Sequence, residues 1–208
     1  MTTEKMETRI IISEQQDIKL NCTLLENPNA RGLCVIFPGK GYTVDKPLLY
    51  YSIRLAMSKG YNLLILSYGE FTLKESVRLT MQNLIVGVIK EVLNQNPDQK
   101  DLVFIAKSIG TLFASDTATT IEHQYPVRCA YLTPIDQAIP NMARTDFIAF
   151  TGSEDHLLDH DTALAKLGSA AYRLNVYAGA DHSLNAKNIN DSIHILVEVM
   201  EKIGSFIE

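Results

Sequence analysis

Short apolar runs recur along this chain, each stopping at a glycine, a proline or a small residue, with helix-compatible stretches between them. Residues 33–37 read Leu-Cys-Val-Ile-Phe and stop at Pro38-Gly39, residues 61–66 stop before Tyr68-Gly69, and residues 102–105 stop at Ala106. Residues 127–132 stop at Thr133-Pro134, residues 147–150 near Gly152, and residues 172–176 near Gly179. A strand that is apolar at consecutive positions must be covered on both faces, which a parallel sheet flanked by helices provides. The alternation therefore predicts an α/β fold, a three-layer sandwich with a mostly parallel central sheet. Residues 6–12 and 18–25, joined by the polar stretch 13–17, predict an antiparallel N-terminal hairpin in front of it.

The intervening stretches carry helix signals. Asp45 is placed to cap a helix with Pro47 in its first turn, and Lys59-Gly60 supplies its stop. Thr72 with Glu75 makes a capping box ahead of Val77, Met81, Leu84, Ile85, Val88, Ile89 and Val92, a wide apolar stripe at helical spacing that should end near residues 94–97. Ile193, Leu196, Val197, Met200 and Ile203 give the core face of a last helix, capped by Asn190 or Asp191. At 208 residues the chain is expected to form one domain, residues 1–208. Only residues 133–146 separate two consecutive strands, which leaves no room there for a sizeable lid.

Composition narrows the partners. The formal net charge is -5 and no Lys/Arg block interrupts it, so the electrostatic footprint of a nucleic-acid or anionic-membrane binder is missing. No apolar run approaches membrane-spanning length. Residues 1–9 mix charges of both signs without the apolar core of a signal peptide, and the expected location is cytoplasmic. Cys22, Cys34 and Cys129 are scattered, odd in number and lack C-x-x-C spacing, and the two that lie inside apolar strand-like runs read as reduced, buried thiols.

Binding groups collect on loops beyond the carboxyl ends of parallel strands. Ser108 sits at a strand-to-helix turn in Ala106-Lys107-Ser108-Ile109-Gly110, with small residues two positions to either side, where a sharp turn excludes long side chains. Gly39-Lys40-Gly41-Tyr42 follows an earlier strand. Gly152-Ser153-Glu154-Asp155 and Gly179-Ala180-Asp181-His182 follow the last two. The order along the chain is serine, acid, histidine.

The elbow at Ala106–Gly110, the glycine loop after an early strand and the Ser, acid, His order resemble the α/β-hydrolase superfamily, especially its small lidless serine hydrolases of the esterase or dienelactone-hydrolase type. The resemblance runs from Leu33 onward, and the leading hairpin suits the first two strands of that fold. It implies Ser108 as nucleophile, His182 as general base and Asp155 as the carboxylate that orients the imidazole. It also implies two oxyanion donors, the backbone N–H of Ile109 and that of Lys40, with Gly41 N–H as the alternative to Lys40. The sequence departs from the pattern at Ala106, where the elbow has glycine, and at Pro38, where the glycine loop often has histidine. The implied substrate is a small acyl compound, an ester or thioester, and no cofactor is implied.

Each residue has a plainer alternative. Ser108 could cap the helix that follows it, and Asp155 could cap the next helix, leaving Glu154, Asp159 or Asp136 as the acid. His123, His156, His160 and His194 do not follow a strand end in the way His182 does. His156 and His160, four apart, would share one helical face beside acids, but the glutamate of H-E-x-x-H is missing, and no metal is expected. Lys107-Ser108 and Gly39-Lys40-Gly41 imitate phosphate-binding loops, yet Leu102, Ala106 and Val44 stand where those loops need glycine. Lys40 and Lys107 bring two positive charges near the site and are read as solvated side chains, an anionic acyl substrate being the alternative. The rival function is a scaffold of this fold that binds a ligand or protein without catalysis.

Overall fold

A computed structural model describes residues 7–27, 29–69, 74–97, 99 and 101–208. Its centre is an eight-stranded sheet in the order β1-β2-β4-β3-β5-β6-β7-β8. The strands are β1 (Glu7–Gln15), β2 (Ile18–Glu26), β3 (Gly32–Phe37), β4 (Tyr61–Ser67), β5 (Asp101–Lys107), β6 (Val127–Leu132), β7 (Asp146–Gly152) and β8 (Leu174–Tyr177). β1 is antiparallel to β2 and β2 to β4, while every pairing from β4 through to β8 is parallel. The helices are α1 (Pro47–Ser58), α2 (Glu75–Gln95), α3 (Ile109–Ile121), α4 (Ile139–Met142), α5 (His160–Leu167) and α6 (Ile189–Phe206).

Alternation along the central strands divides the core in two. In β5, Leu102, Phe104 and Ala106 face a layer built with Leu84, Ile85 and Val88 of α2, Phe113 of α3, Met142 of α4 and Leu167 of α5. Val103 and Ile105 face the other layer, with Leu48 and Leu49 of α1 and Val199 and Ile203 of α6. Both faces are dry, so the runs have to be apolar throughout. At the amino-end edge of the sheet Arg128 donates to Asp101, to the Tyr61 hydroxyl and to the carbonyls of Phe206 and Ile207, and the single Tyr61 hydroxyl proton has Asp101 at 2.6 Å and the Ile207 carbonyl at 2.8 Å as acceptors. The end of α6 is thereby fastened to β4, β5 and β6 at the opposite edge from the strand carboxyl ends.

Several boundaries differ from the sequence expectation, for local reasons. The 13–17 turn shrinks to Gln16 and Asp17, both at positive φ, because a tight two-residue hairpin lets the strands run further. The residue before α1 is Lys46, which makes no side-chain cap, and not Asp45, whose carboxylate turns back to Thr43. Asn188 caps α6 by accepting from Asn190 N–H, which places Asn190 and Asp191 inside the helix. Tyr172 is exposed in a 3-10 turn, and β8 begins only at Leu174. Met6 and the capping-box Thr72 lie outside the described residues; α2 begins at Glu75 with no side-chain cap from Lys74.

The three cysteines are free and buried. Burial pushes the Cys22 and Cys129 thiols up to about 12, and Cys34 higher still. Among the described residues no helix is long and apolar enough to cross a membrane. Gly87 lies on the exposed side of α2, and a Cβ there would meet no atom within 4 Å. Gly87→Ala should therefore stabilise the fold by roughly 0.5–1 kcal/mol through lost unfolded-state freedom. The readout is the urea unfolding midpoint, and a lower midpoint in the variant would contradict this account.

Candidate active site

Ser108 occupies φ 54°, ψ -123°, a backbone region open mainly to glycine. The chain reaches the same dihedrals at Gly168. A tight passage from β5 into α3 imposes the turn. Ser108 N–H is held by Leu132 C=O at 3.0 Å, and Thr111 N–H and Oγ1 return to Ser108 C=O at 2.8 and 2.6 Å. Gly110 lies so near β3 that a Cβ would stand 2.2 Å from Phe37 O and 2.6 Å from Pro38 O. Ala106, where the elbow pattern has glycine, is fully buried in the α2–α3 layer.

The Ser108 side chain caps nothing. Its Oγ lies 2.7 Å from His182 Nε2, and His182 Nδ1 lies 2.8 Å from both carboxylate oxygens of Asp155. Asp155 is 3% exposed and also accepts from Leu157 N–H at 3.0 Å and Thr151 Oγ1 at 3.3 Å. Burial works to raise its pKa, but the bonds from His182 and Leu157 and the charges of His182 and Lys107 outweigh it, so its pKa is lowered. An ionised carboxylate only accepts, which assigns the proton to Nδ1 and leaves Nε2 to accept from the serine hydroxyl.

The rival acids do other work. Asp159 caps α5, accepting from Thr162 N–H, and Asp136 accepts from Asp159 N–H at 2.9 Å. Glu154 is exposed, with its N–H on Ala180 C=O. His156 lies in the turn before α5 while His160 is the first residue of that helix, so they share no helical face. Among the described residues no three His, Cys, Asp or Glu side chains are grouped as metal ligands.

Two loops are locked together to bring Asp155 to His182. Ser153 N–H donates to Tyr177 C=O, Gly179 N–H to Ser153 Oγ, and Gly152 has room for no Cβ because Ala180 O would lie 2.0 Å from it. Asp181, which sequence reasoning passed over, shapes the histidine loop from inside: its Oδ1 accepts from Ser183 and Asn185 N–H. An aspartate beside Gly179-Ala180 is the turn signal that would have found it.

The 39–42 segment closes a turn through Tyr42 N–H to Gly39 C=O, with Gly41 at φ +70°. Gly39 is seated on the elbow: a Cβ there would be 3.2 Å from Ser108 Cβ. Lys40 is exposed at the tip of this turn. Ile109 is buried as the first residue of α3, so its N–H has no acceptor within the helix. Lys107 contradicts the expectation of a solvated side chain. It is 1% exposed, its Nζ donates to His182 C=O at 2.8 Å, and it sits 4.7 Å from the centre of the Tyr42 ring.

No family model and no curated protein matches this sequence. Solved structures do resemble it. Est1E from Butyrivibrio proteoclasticus is 16% identical, with a TM-score of 0.69 over 95% of this chain and 98% of its own. The Pyrococcus furiosus esterase Pf2001 is 14% identical, with a TM-score of 0.71 over 97% of this chain and 90% of its own. A Coxiella burnetii protein described as an alpha-beta serine hydrolase homologue is 11% identical, with a TM-score of 0.68 over 94% and 97%. At these identities the likeness is one of fold.

Proposed function

We propose that this chain, which has the α/β-hydrolase fold, is a serine hydrolase that cleaves a small ester or thioester through an acyl-enzyme intermediate. The observation that carries this reading is the Ser108 hydroxyl, aimed at His182 Nε2 at 2.7 Å from a strained turn instead of capping the helix below it. Ser108 Oγ attacks the acyl carbonyl while Nε2 takes its proton. The tetrahedral oxyanion is met by Ile109 N–H and by Lys40 N–H, with Gly41 N–H as the alternative. Each such donor contributes about 3–4 kcal/mol when preorganised. Collapse expels the alcohol or thiol, which receives the proton from the imidazolium, and water repeats the sequence to free the acid. Asp155 holds the Nδ1 tautomer and stabilises the imidazolium without itself taking the proton. The α/β-hydrolase neighbours named as esterases or serine hydrolase homologues add support at the level of the fold.

A fluorophosphonate probe tests it. The wild type should be labelled, Ser108→Ala should not, and hydrolysis of a p-nitrophenyl ester should fall by at least about 10⁴-fold in that variant. A folded wild type that stays unlabelled and inactive would place the chain among binding scaffolds of this fold. Labelling that survives Ser108→Ala would move the nucleophile elsewhere.

A further inference from the structure

Lys107 is the last residue of β5 and continues the odd-numbered set that faces α1 and α6. A lysine is almost never fully buried without a partner, because its ammonium loses hydration there. Among the described residues no carboxylate pairs with this one; it is held by a backbone carbonyl and an aromatic face. Those two contacts belong to the histidine loop and to the 39–42 turn, the segments that flank Ser108 on its two open sides.

We propose that Lys107 is the positioning residue of this site: its ammonium, sealed beneath Ser108, pins the His182 carbonyl and the Tyr42 ring, and so holds the base and the glycine turn in register with the elbow. The proposal rests on Ser108 and His182 acting as nucleophile and base. The contacts are of the kind that strengthen with charge, a charge-assisted hydrogen bond and a cation over a ring. Burial pulls the Lys107 ammonium down to about 7, against the upward pull of Asp155 and Asp181, while Lys46 pushes it further down. Tyr42 and Lys46 face it from the segment before α1, Asp155 from the loop after β7, and Asp181 and His182 from the loop before α6. The clamp is thus charged below neutrality and uncharged above it.

Below about 7 both folded and unfolded chains carry the proton; between 7 and the ordinary lysine value of 10.5 only the unfolded chain does. Burying the charge therefore weighs on the fold at low pH, and the wild type gains stability as pH rises through that window. Activity should move the other way on its alkaline side, as the clamp loses its charge.

The experiment follows fluorophosphonate labelling of Ser108, ester hydrolysis and thermal unfolding from about pH 6 to about pH 9 in wild type, Lys107→Met and Lys107→Gln. Wild-type labelling should turn over above about 7. Lys107→Met should react up to about 100-fold more slowly with kcat carrying the loss and KM little changed, and should lack the alkaline descent. Lys107→Gln, which keeps a neutral donor, should recover part of the rate. The wild type should gain melting temperature on Lys107→Met as pH rises. Equal labelling of wild type and Lys107→Met, or a wild-type profile with no alkaline descent, overturns the proposal while leaving Ser108 as nucleophile. A folded wild type that never labels defeats the hydrolase reading instead. Lys107 is then judged by NMR of the His182 Nδ1–H resonance: sharp in wild type and broadened in Lys107→Met supports positioning, and identical signals overturn it.

Discussion

Ser108→Gly is expected to abolish turnover and to make the protein harder to unfold. Loss of the hydroxyl removes the proposed nucleophile, and the residual rate should lie at least about 10⁴-fold below wild type. The gain in stability has a separate origin. At φ 54°, ψ -123° a serine Cβ is strained, and positions of this kind cost about 1–3 kcal/mol. Glycine relieves that strain but adds about 0.5–1 kcal/mol of unfolded-state freedom, so a net gain of up to about 2 kcal/mol remains. The use of Gly168 at the same dihedrals shows which residue the backbone alone would select. Ser108→Ala keeps the Cβ and should be equally inactive without the gain. Urea unfolding of the two variants separates strain from chemistry, and a glycine variant less stable than the alanine one would mean that the elbow is relaxed.

Gly110→Ala is expected to act in the opposite direction, on the fold and the site together. The added Cβ would meet Phe37 O at 2.2 Å, Pro38 O at 2.6 Å and Phe37 C at 2.7 Å, all backbone atoms that cannot rotate aside. Either α3 moves away from β3 or the 38–42 segment is pushed off the elbow. Overpacking of this sort costs about 1–3 kcal/mol where side chains can yield, and more is expected here because none can. The shift also displaces the turn that carries the Lys40 and Gly41 N–H groups. The check is a drop of several degrees in melting temperature, with fluorophosphonate labelling slowed beyond what the lost stability explains. A variant as stable and reactive as wild type would show that β3 and α3 are not in contact at this point.

Much of this arrangement could be read along the chain because each piece has a local signature. Continuous apolar runs require cover on both faces, and the strands at residues 127–132 and 147–150 appear where those runs stand, the second extended to Asp146–Gly152. Ser108, Asp155 and His182 each follow a strand end, so sequence order alone brings them to one edge of the sheet. The choice among acids was not local: Glu154 and Asp155 share the loop fastened to Ala180 and Tyr177, and it is this fastening between segments far apart in sequence that leaves Glu154 exposed and turns Asp155 inward to His182, while Asp136 lies on another loop. The helix caps moved for a related reason, since Asn188 and Asn190 both suit a cap and only the path of the preceding loop decides. Lys107 was misread although a signal existed. A run apolar on both faces up to Ala106 implies that the next position is covered as well, whatever its side chain.

The fastening of Phe206 and Ile207 to Tyr61 and Arg128 at the far edge of the sheet has a consequence in time. His182 is delivered by a loop whose trailing helix, α6, docks on α1 and ends in those bonds. During synthesis, at about 5–20 residues per second, the elbow at residue 108 is complete for several seconds before residue 207 exists to close the far anchor. A nascent chain, or one nicked between His182 and α6, carries Ser108 without a fixed base beside it. If Ser108 and His182 act as proposed, the order of the segments leaves the nucleophile unassisted until the C-terminal anchor has formed.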